Sequence, residues 1–211
     1  MKKLNFLTSR TAMFMLAGAL VLYAVTPPQH SKMHVFQTSA GVLGDGSAVQ
    51  GSSARLARHD NAVWLQINTT DLPEGAFTVW WVIFNNPGAC VGGCGEDDLF
   101  RPAVGASVLW ATGGIVGRNG VGHFRAHLEE GELPGMPGQI LLPGPPLQNA
   151  EAADIHVIVR YHGLVVPSIA VKQTTTSYGG CIAGPAVPPD PDPADRLFPC
   201  FDPQFAEFPA P

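Results

Sequence analysis

Hydrophobic and polar residues alternate with a period of two along several short stretches of the chain. In residues 61–71 (NAVWLQINTTD) the apolar positions are separated by polar residues or by Trp64, which predicts a strand with one buried face. Residues 76–84 (AFTVWWVIF) form a continuous apolar run, which predicts a strand that is buried on both faces or covered by a loop on one. The other predicted strands are 107–112 with 115–116, 122–128 and 155–161, and the weaker candidates are 34–38 and 52–58.

Turn residues and proline-rich stretches separate these segments. The Asn119-Gly120 pair favours a hairpin between the strands on either side of it. Residues 131–146 form a long loop rich in Gly and Pro, and no stretch keeps a helical period for more than two turns. About seven short strands with turns between them predict an all-β fold, an antiparallel β-sandwich with long Gly/Pro loops and an extended C-terminal tail.

The N-terminal residues predict export. Lys2, Lys3 and Arg10 precede an apolar run over residues 11–25, which is typical of a signal peptide or an uncleaved N-terminal anchor. A buried core helix is the alternative. The chain then divides into residues 1–24 (signal peptide or anchor), 25–183 (β-sandwich domain) and 184–211 (Pro-rich tail). This division predicts an extracytoplasmic location, in the periplasm, on the cell surface or secreted.

Charge narrows the choice of partners. Only 14% of the residues are charged, against about 25% in ordinary domains. Without residues 1–24, nine basic residues stand against 17 acidic ones. The basic residues are scattered singly, so no nucleic-acid partner is expected. Contact with a membrane is expected only through the N-terminal segment, if that segment stays uncleaved.

The four cysteines are Cys90, Cys94, Cys181 and Cys200. An even number in an exported protein favours two disulfides, and three pairings are compatible with the sequence. Cys90–Cys94 with Cys181–Cys200 is the most local choice. A four-cysteine zinc site is the alternative, although the usual two-residue spacing between ligand cysteines is absent.

Histidines and one aspartate form the candidate metal site. His123 and His127 lie about 13 Å apart along one predicted strand, which is too far for a single ion to bind both. A Cu or Zn site therefore requires one of them to meet His156 or His162 across adjacent strands, with Asp154 as an oxygen ligand. Solvated or edge histidines are the simpler interpretation, and no cofactor is expected.

The consecutive residues Trp80 and Trp81 must point to opposite faces of their strand. One indole fits the core of the sandwich. The other either packs under a loop, which is the favoured interpretation, or is exposed as a binding platform for a sugar or a partner protein.

Three blocks of sequence resemble a group of uncharacterised exported bacterial proteins: FTVWWVIFNNPGAC–VGGC, SVLWATGGIVGRNGVGHF and ADIHVIVRYHG. The resemblance covers roughly residues 45–205 and implies no catalytic residue. More distantly, a long strand followed by a Gly-rich hairpin and a strand with Ile155-His156 is similar to the CHRD domain. That resemblance implies an all-β extracellular module.

These observations favour an exported, non-enzymatic binding or structural module whose partner is an extracytoplasmic protein or a glycan. The first alternative is a periplasmic Cu- or Zn-binding sandwich protein that uses the histidines named above. The second is a hydrolase. Because the chain has no G-x-S-x-G or H-E-x-x-H motif, a hydrolase would need a triad assembled from distant residues.

Overall fold

The computed structural model describes residues 27–35, 46–182 and 187–211. The predicted signal peptide or anchor, residues 1–24, lies outside the described residues. The same holds for residues 36–38 of the first weak strand candidate and for residues 184–186 of the predicted tail. Among the described residues, none of the helices has the length and hydropathy that crossing a bilayer requires.

Strands dominate the described part of the chain, with one short α-helix, α1 (Ala170–Thr175). In chain order the strands are β1 (Gln29–Ser31), β2 (His34–Val35), β3 (Ser53–His59), β4 (Ala62–Thr69), β5 (Gly75–Phe84), β6 (Ala106–Val116), β7 (Gly122–Glu129), β8 (Ile140–Leu142), β9 (Asp154–Tyr161), β10 (Cys181–Ile182), β11 (Phe198–Pro199) and β12 (Phe201–Phe208).

Two antiparallel sheets pack face to face, which confirms the predicted β-sandwich. Sheet A has four strands in the order β1-β3-β4-β7. Sheet B has six strands in the order β2-β12-β9-β5-β6-β8. The short strands β10 and β11 pair separately and in parallel.

Sheet A shows the predicted alternation of apolar and polar side chains. In β4, Val63 and Leu65 are buried in the core between the sheets, whereas Trp64 between them is exposed. In β7, Phe124 and Leu128 point into the same core. The polar residues of these strands therefore lie on the outer face of sheet A.

The strand β5 is buried on both faces, in agreement with its continuous apolar run. Its odd-numbered residues from Phe77 to Ile83 join the core between the sheets. On the other side, Trp80, Val82 and Phe84 form a second apolar layer with Val104 of the loop that follows β5. This strand lies between β9 and β6, near the middle of sheet B.

The C-terminal segment is extended, as predicted, but its last part is also a strand of sheet B. Strand β12 lies between β2 and β9 and pairs with both. Pro203 falls where the register shifts between Phe201 and Gln204, a position at which a residue without an N–H group is tolerated. Phe205 and Phe208 are buried, so this segment completes the sandwich.

Both predicted disulfides are present. Cys90–Cys94 closes the short loop after β5, and Cys181–Cys200 joins β10 to the residue that precedes β12. All four cysteines are therefore paired. Two disulfides are typical of a protein that folds in an oxidising environment outside the cytoplasm.

Helix α1 packs closely on the outer side of sheet B. A Cβ atom at Gly113 of β6 would lie 1.9 Å from the backbone oxygen of Thr174, so only glycine allows this approach. Trp110 Nε1 donates a hydrogen bond of 3.1 Å to the same oxygen. The helix is thus anchored to β6 and covers part of the outer layer.

Candidate functional site

The histidines that were candidates for one metal site lie on opposite sides of the sandwich. His123 and His127 are on β7 in sheet A, whereas His156 is on β9 in sheet B and His162 directly follows that strand. The core between the sheets separates β7 from β9. The required meeting across adjacent strands does not occur, which corrects that expectation.

His123 and His127 each contact a residue of β4 on the outer face of sheet A. The Nδ1 atom of His123 is 2.8 Å from Asn68 Oδ1. The imidazole of His127 lies against the indole of Trp64, with ring centroids 4.3 Å apart. Neither histidine is oriented towards the other predicted ligands.

His156 is buried on the outer side of sheet B between two carboxylates. Its Nε2 is 2.9 Å from Asp154 Oδ1, and its Nδ1 is 4.0 Å from Glu207 Oε1. Phe84 packs edge-on against the imidazole, with ring centroids 5.1 Å apart. Because the carboxylates approach opposite ring nitrogens, these three side chains do not converge on one point as metal ligands do.

His162 is fully buried beside the second disulfide. Since the carbonyl oxygen of Gly179 can only accept, Nδ1 donates to it at 2.9 Å. Nε2 then accepts from the hydroxyl group of Thr78 at 2.8 Å, and the same hydroxyl oxygen accepts from Trp80 Nε1 at 2.7 Å. Burial lowers the pKa of His162 to about 4, so its imidazole is neutral at neutral pH.

Trp80 and Trp81 are both completely buried. Trp81 fills the core between the sheets, and Trp80 lies in the outer apolar layer of sheet B. The guanidinium group of Arg160 lies 5.9 Å from the Trp80 ring centroid and donates to both carboxylate oxygens of Asp202, at 2.7 and 2.9 Å. Neither indole is exposed as a binding platform. Trp80 packs in a covered apolar layer, which is the favoured interpretation of the sequence.

A different tryptophan is exposed, on the outer face of sheet A. Trp64 retains 53% of its accessible surface. The antiparallel register places side chains of β3, β4 and β7 next to one another in two rows on this face. The rows are Arg55, Gln66 and Arg125, and Ala57, Trp64 and His127. These six residues line a shallow groove of about 570 Å³, which we call the Trp64 face.

The two arginines of the Trp64 face have no carboxylate partner among the described residues. They lie two strand spacings apart, about 10 Å between Cα atoms. In the part of the chain that the structure describes, the Lys and Arg side chains that pair with carboxylates are Arg101, Arg118, Arg160 and Lys172. The Trp64 face is therefore a positively charged aromatic surface on a protein of net charge −5.

The sequence alone predicts Trp64 on the polar face of its strand but does not connect it with the two arginines. Arg55 and Arg125 stand far apart in the chain, and only the pairing of β3 and β7 with β4 brings them together. The signal that could have found them is the alternation itself. Each arginine stands between two apolar residues of a predicted strand, which places it on the outer face.

Comparison with known proteins finds no matching family model, no similar curated protein and no similar solved structure.

Proposed function

We propose that the protein is an exported, non-enzymatic binding module whose Trp64 face binds an acidic glycan. The observation that carries the proposal is the exposed indole of Trp64 in the row next to two arginines that no described carboxylate neutralises. The ligand class follows from the two kinds of side chain on this face.

The indole supports a sugar as the ligand. An exposed aromatic ring offers a rigid apolar surface on which the C–H face of a pyranose packs. The amide of Gln66 and the imidazole of His127 flank the ring and offer hydrogen bonds to hydroxyl groups. The two arginines are about 10 Å apart across the groove, which suits a short stretch of glycan.

The arginines support a carboxylated sugar. A guanidinium group binds a carboxylate through two parallel hydrogen bonds, and it stays charged at every physiological pH. Arg55 and Arg125 flank Gln66 on opposite sides, so two acidic units of one polysaccharide chain can be bound at once. A uronate polymer has carboxylates at such regular intervals.

An extracytoplasmic location is part of this proposal, in the periplasm, at the cell surface or in the medium. It is supported by the two disulfides and by the N-terminal apolar run after Lys2 and Lys3. We also propose a distant relationship to the CHRD domain. Its support is the sequence similarity around Ile155-His156 and an all-β sandwich.

Binding to polygalacturonate tests the proposal, with neutral dextran as the comparison ligand. We expect the parent protein to bind the acidic polymer and not the neutral one. Trp64→Ala should lower the affinity at least tenfold, and Arg125→Gln about tenfold. A hydrogen bond to a charged group contributes about 1.5–3 kcal/mol, and 1.4 kcal/mol is a factor of ten.

Arg118→Gln is the matched control, because it removes the same charge from an exposed arginine that pairs with Glu74 outside the Trp64 face. It should leave the affinity unchanged. Equal binding of dextran, or an affinity that Trp64→Ala does not change, would contradict the proposal. If the protein binds a folded protein but not polygalacturonate, its ligand is a protein and not a glycan.

A further inference from the structure

A histidine and two cysteines meet in the buried region beneath β10. The Sγ atoms of Cys181 and Cys200 are 3.4 Å and 4.0 Å from His162 Nδ1. All three side chains are buried. Among the described residues this is the one group of three His, Cys, Asp or Glu side chains whose ligand atoms all lie within 4.8 Å of one another.

We propose that the Cys181–Cys200 disulfide and a bound thiophilic d¹⁰ cation, Zn²⁺ or Cu⁺, are alternative states of this cluster. In the oxidised protein the sulfurs are bonded to each other and cannot bind a metal. In the reduced protein the two thiolates and His162 Nδ1 are the ligands. This site is separate from the Trp64 face, and it differs from the predicted metal site in all its ligands except His162.

The distances between the sulfurs and Nδ1 already suit a tetrahedral ion. With Zn–S bonds of about 2.3 Å and a Zn–N bond of about 2.0 Å, a tetrahedral ion holds sulfur and nitrogen about 3.5 Å apart. The two Sγ–Nδ1 distances already bracket this value. Two changes are needed: the sulfurs separate from their bonded distance to about 3.8 Å, and the carbonyl oxygen of Gly179, 2.9 Å from Nδ1, moves aside to make room for the ion.

The hydrogen bonds of His162 allow the required tautomer. The burial that lowers its pKa keeps the ring neutral, and a metal binds only the neutral imidazole. For Nδ1 to bind the ion, its proton must move to Nε2, which ends the hydrogen bond to the Gly179 carbonyl oxygen. Nε2 then donates to Thr78 Oγ1, and the hydroxyl proton of Thr78 turns away from the ring. That oxygen has two lone pairs and can accept from both Nε2 and Trp80 Nε1. Thr78 would then orient the ring, as partners of ligand histidines usually do.

The conversion balances with a dithiol as the reductant. The disulfide takes two electrons and two protons from the dithiol, which itself becomes a disulfide. The two thiols then lose their protons to solvent as the cation binds. Three protein ligands leave a fourth position for water or an added thiolate. Reduction also opens the covalent loop between β10 and β12, which gives the ion a route to a site that is closed in the oxidised protein.

Metal titration of the full chain tests this proposal, with Cys90→Ser and Cys94→Ser so that only the second pair remains. After anaerobic reduction we expect one equivalent of Co²⁺ to give a thiolate-to-cobalt charge-transfer band, and Zn²⁺ to abolish it. X-ray absorption of the zinc form should count two sulfurs at about 2.3 Å and nitrogen at about 2.0 Å. The oxidised protein should show none of these signals.

His162→Asn should lower the zinc affinity by about 100-fold, whereas His59→Asn, on the exposed outer face of sheet A, should not change it. If His162→Asn does not fold, X-ray absorption of the zinc form of the parent protein tests whether a nitrogen ligand is present beside the two sulfurs. A reduced protein that binds no metal, that binds with cysteine ligands alone, or that unfolds on reduction would overturn the proposal. None of these results would affect glycan binding by the oxidised protein.

Discussion

Polar groups on the two outer faces of the sandwich have different surroundings. On sheet B, Trp80, Thr78 and His162 form a chain of hydrogen bonds that ends at the carbonyl oxygen of Gly179. Each of these groups is buried and has a partner within the protein. On sheet A, Arg55 and the indole of Trp64 face solvent. The first arrangement is what buried polar groups need for stability, and the second leaves binding capacity for an external ligand.

The neutral state of His162 makes the stability of the protein depend on pH. In the unfolded chain the imidazole has its ordinary pKa of about 6.5, but burial in the folded protein lowers that pKa to about 4. Between these values the unfolded state binds one more proton, so falling pH favours unfolding. The stabilisation is complete above pH 6.5 and is lost as the pH falls to about 4, which amounts to roughly 3 kcal/mol.

Urea unfolding near pH 7 and near pH 4 measures this dependence. We expect the parent protein to lose roughly 3 kcal/mol more than His162→Gln between the two conditions. The carboxylates titrate in both proteins, so the difference isolates the imidazole. The same pH dependence in both proteins would show that folding does not lower the pKa of His162.

At the scale of elements, alternation alone predicts the strands that have one polar face or an unbroken apolar run. Strands β4 and β5 are examples, and both are where the sequence places them. Strand β12 escaped prediction because Pro203 and the inward-facing Gln204 interrupt its pattern. Gln204 is satisfied by Thr69 Oγ1 and the Thr70 carbonyl oxygen on the opposite sheet, which no local pattern reveals.

The candidate sites, like the strands, were predictable only where they depend on residues close together in the chain. The pairing of the cysteines agrees with the most local choice, since their separations in the chain are short. The Trp64 face depends on the register of three strands. The meeting of His162 with Cys181 depends on how β10 lies beside the residue that follows β9. Register and packing between distant segments are tertiary properties, which one sequence read locally does not contain.

The contact between α1 and β6 predicts that alanine substitution lowers the free energy of unfolding much more at Gly113 than at Gly117. Gly113→Ala places a methyl group 1.9 Å from the Thr174 backbone oxygen, so the helix must shift. We expect a loss of about 1–3 kcal/mol, as for other overpacked sites. Gly117→Ala is the matched control, since its nearest neighbour is Asn119 Oδ1 at 3.8 Å. Equal free energies of unfolding for the two variants would mean that α1 does not pack rigidly on β6.

At the scale of the whole molecule, the two ends of the described chain hold the sheets together. Arg58 of sheet A donates to the carbonyl oxygens of Ala150 and of Phe208 in sheet B. Gln29 of β1 donates to the carbonyl oxygen of Pro209. The bonds to Phe208 and Pro209 tie sheet A to the last strand of sheet B and to the residue that follows it, so they depend on the C-terminal residues.

Removal of residues 201–211 should therefore prevent folding, although the segment reads as a proline-rich tail. Its loss leaves β9 without a neighbour on one side and takes Phe205, Ala206 and Phe208 out of buried positions. Loss of a single buried Phe side chain costs about 3–5 kcal/mol, and the whole stability of a domain is about 5–15 kcal/mol. Circular dichroism and the urea midpoint measure the outcome. Removal of only residues 210–211, which lie beyond Pro209, should leave the midpoint unchanged. A truncated chain that ends at Cys200 and still unfolds cooperatively would show that β12 is an addition to a sandwich that is already complete.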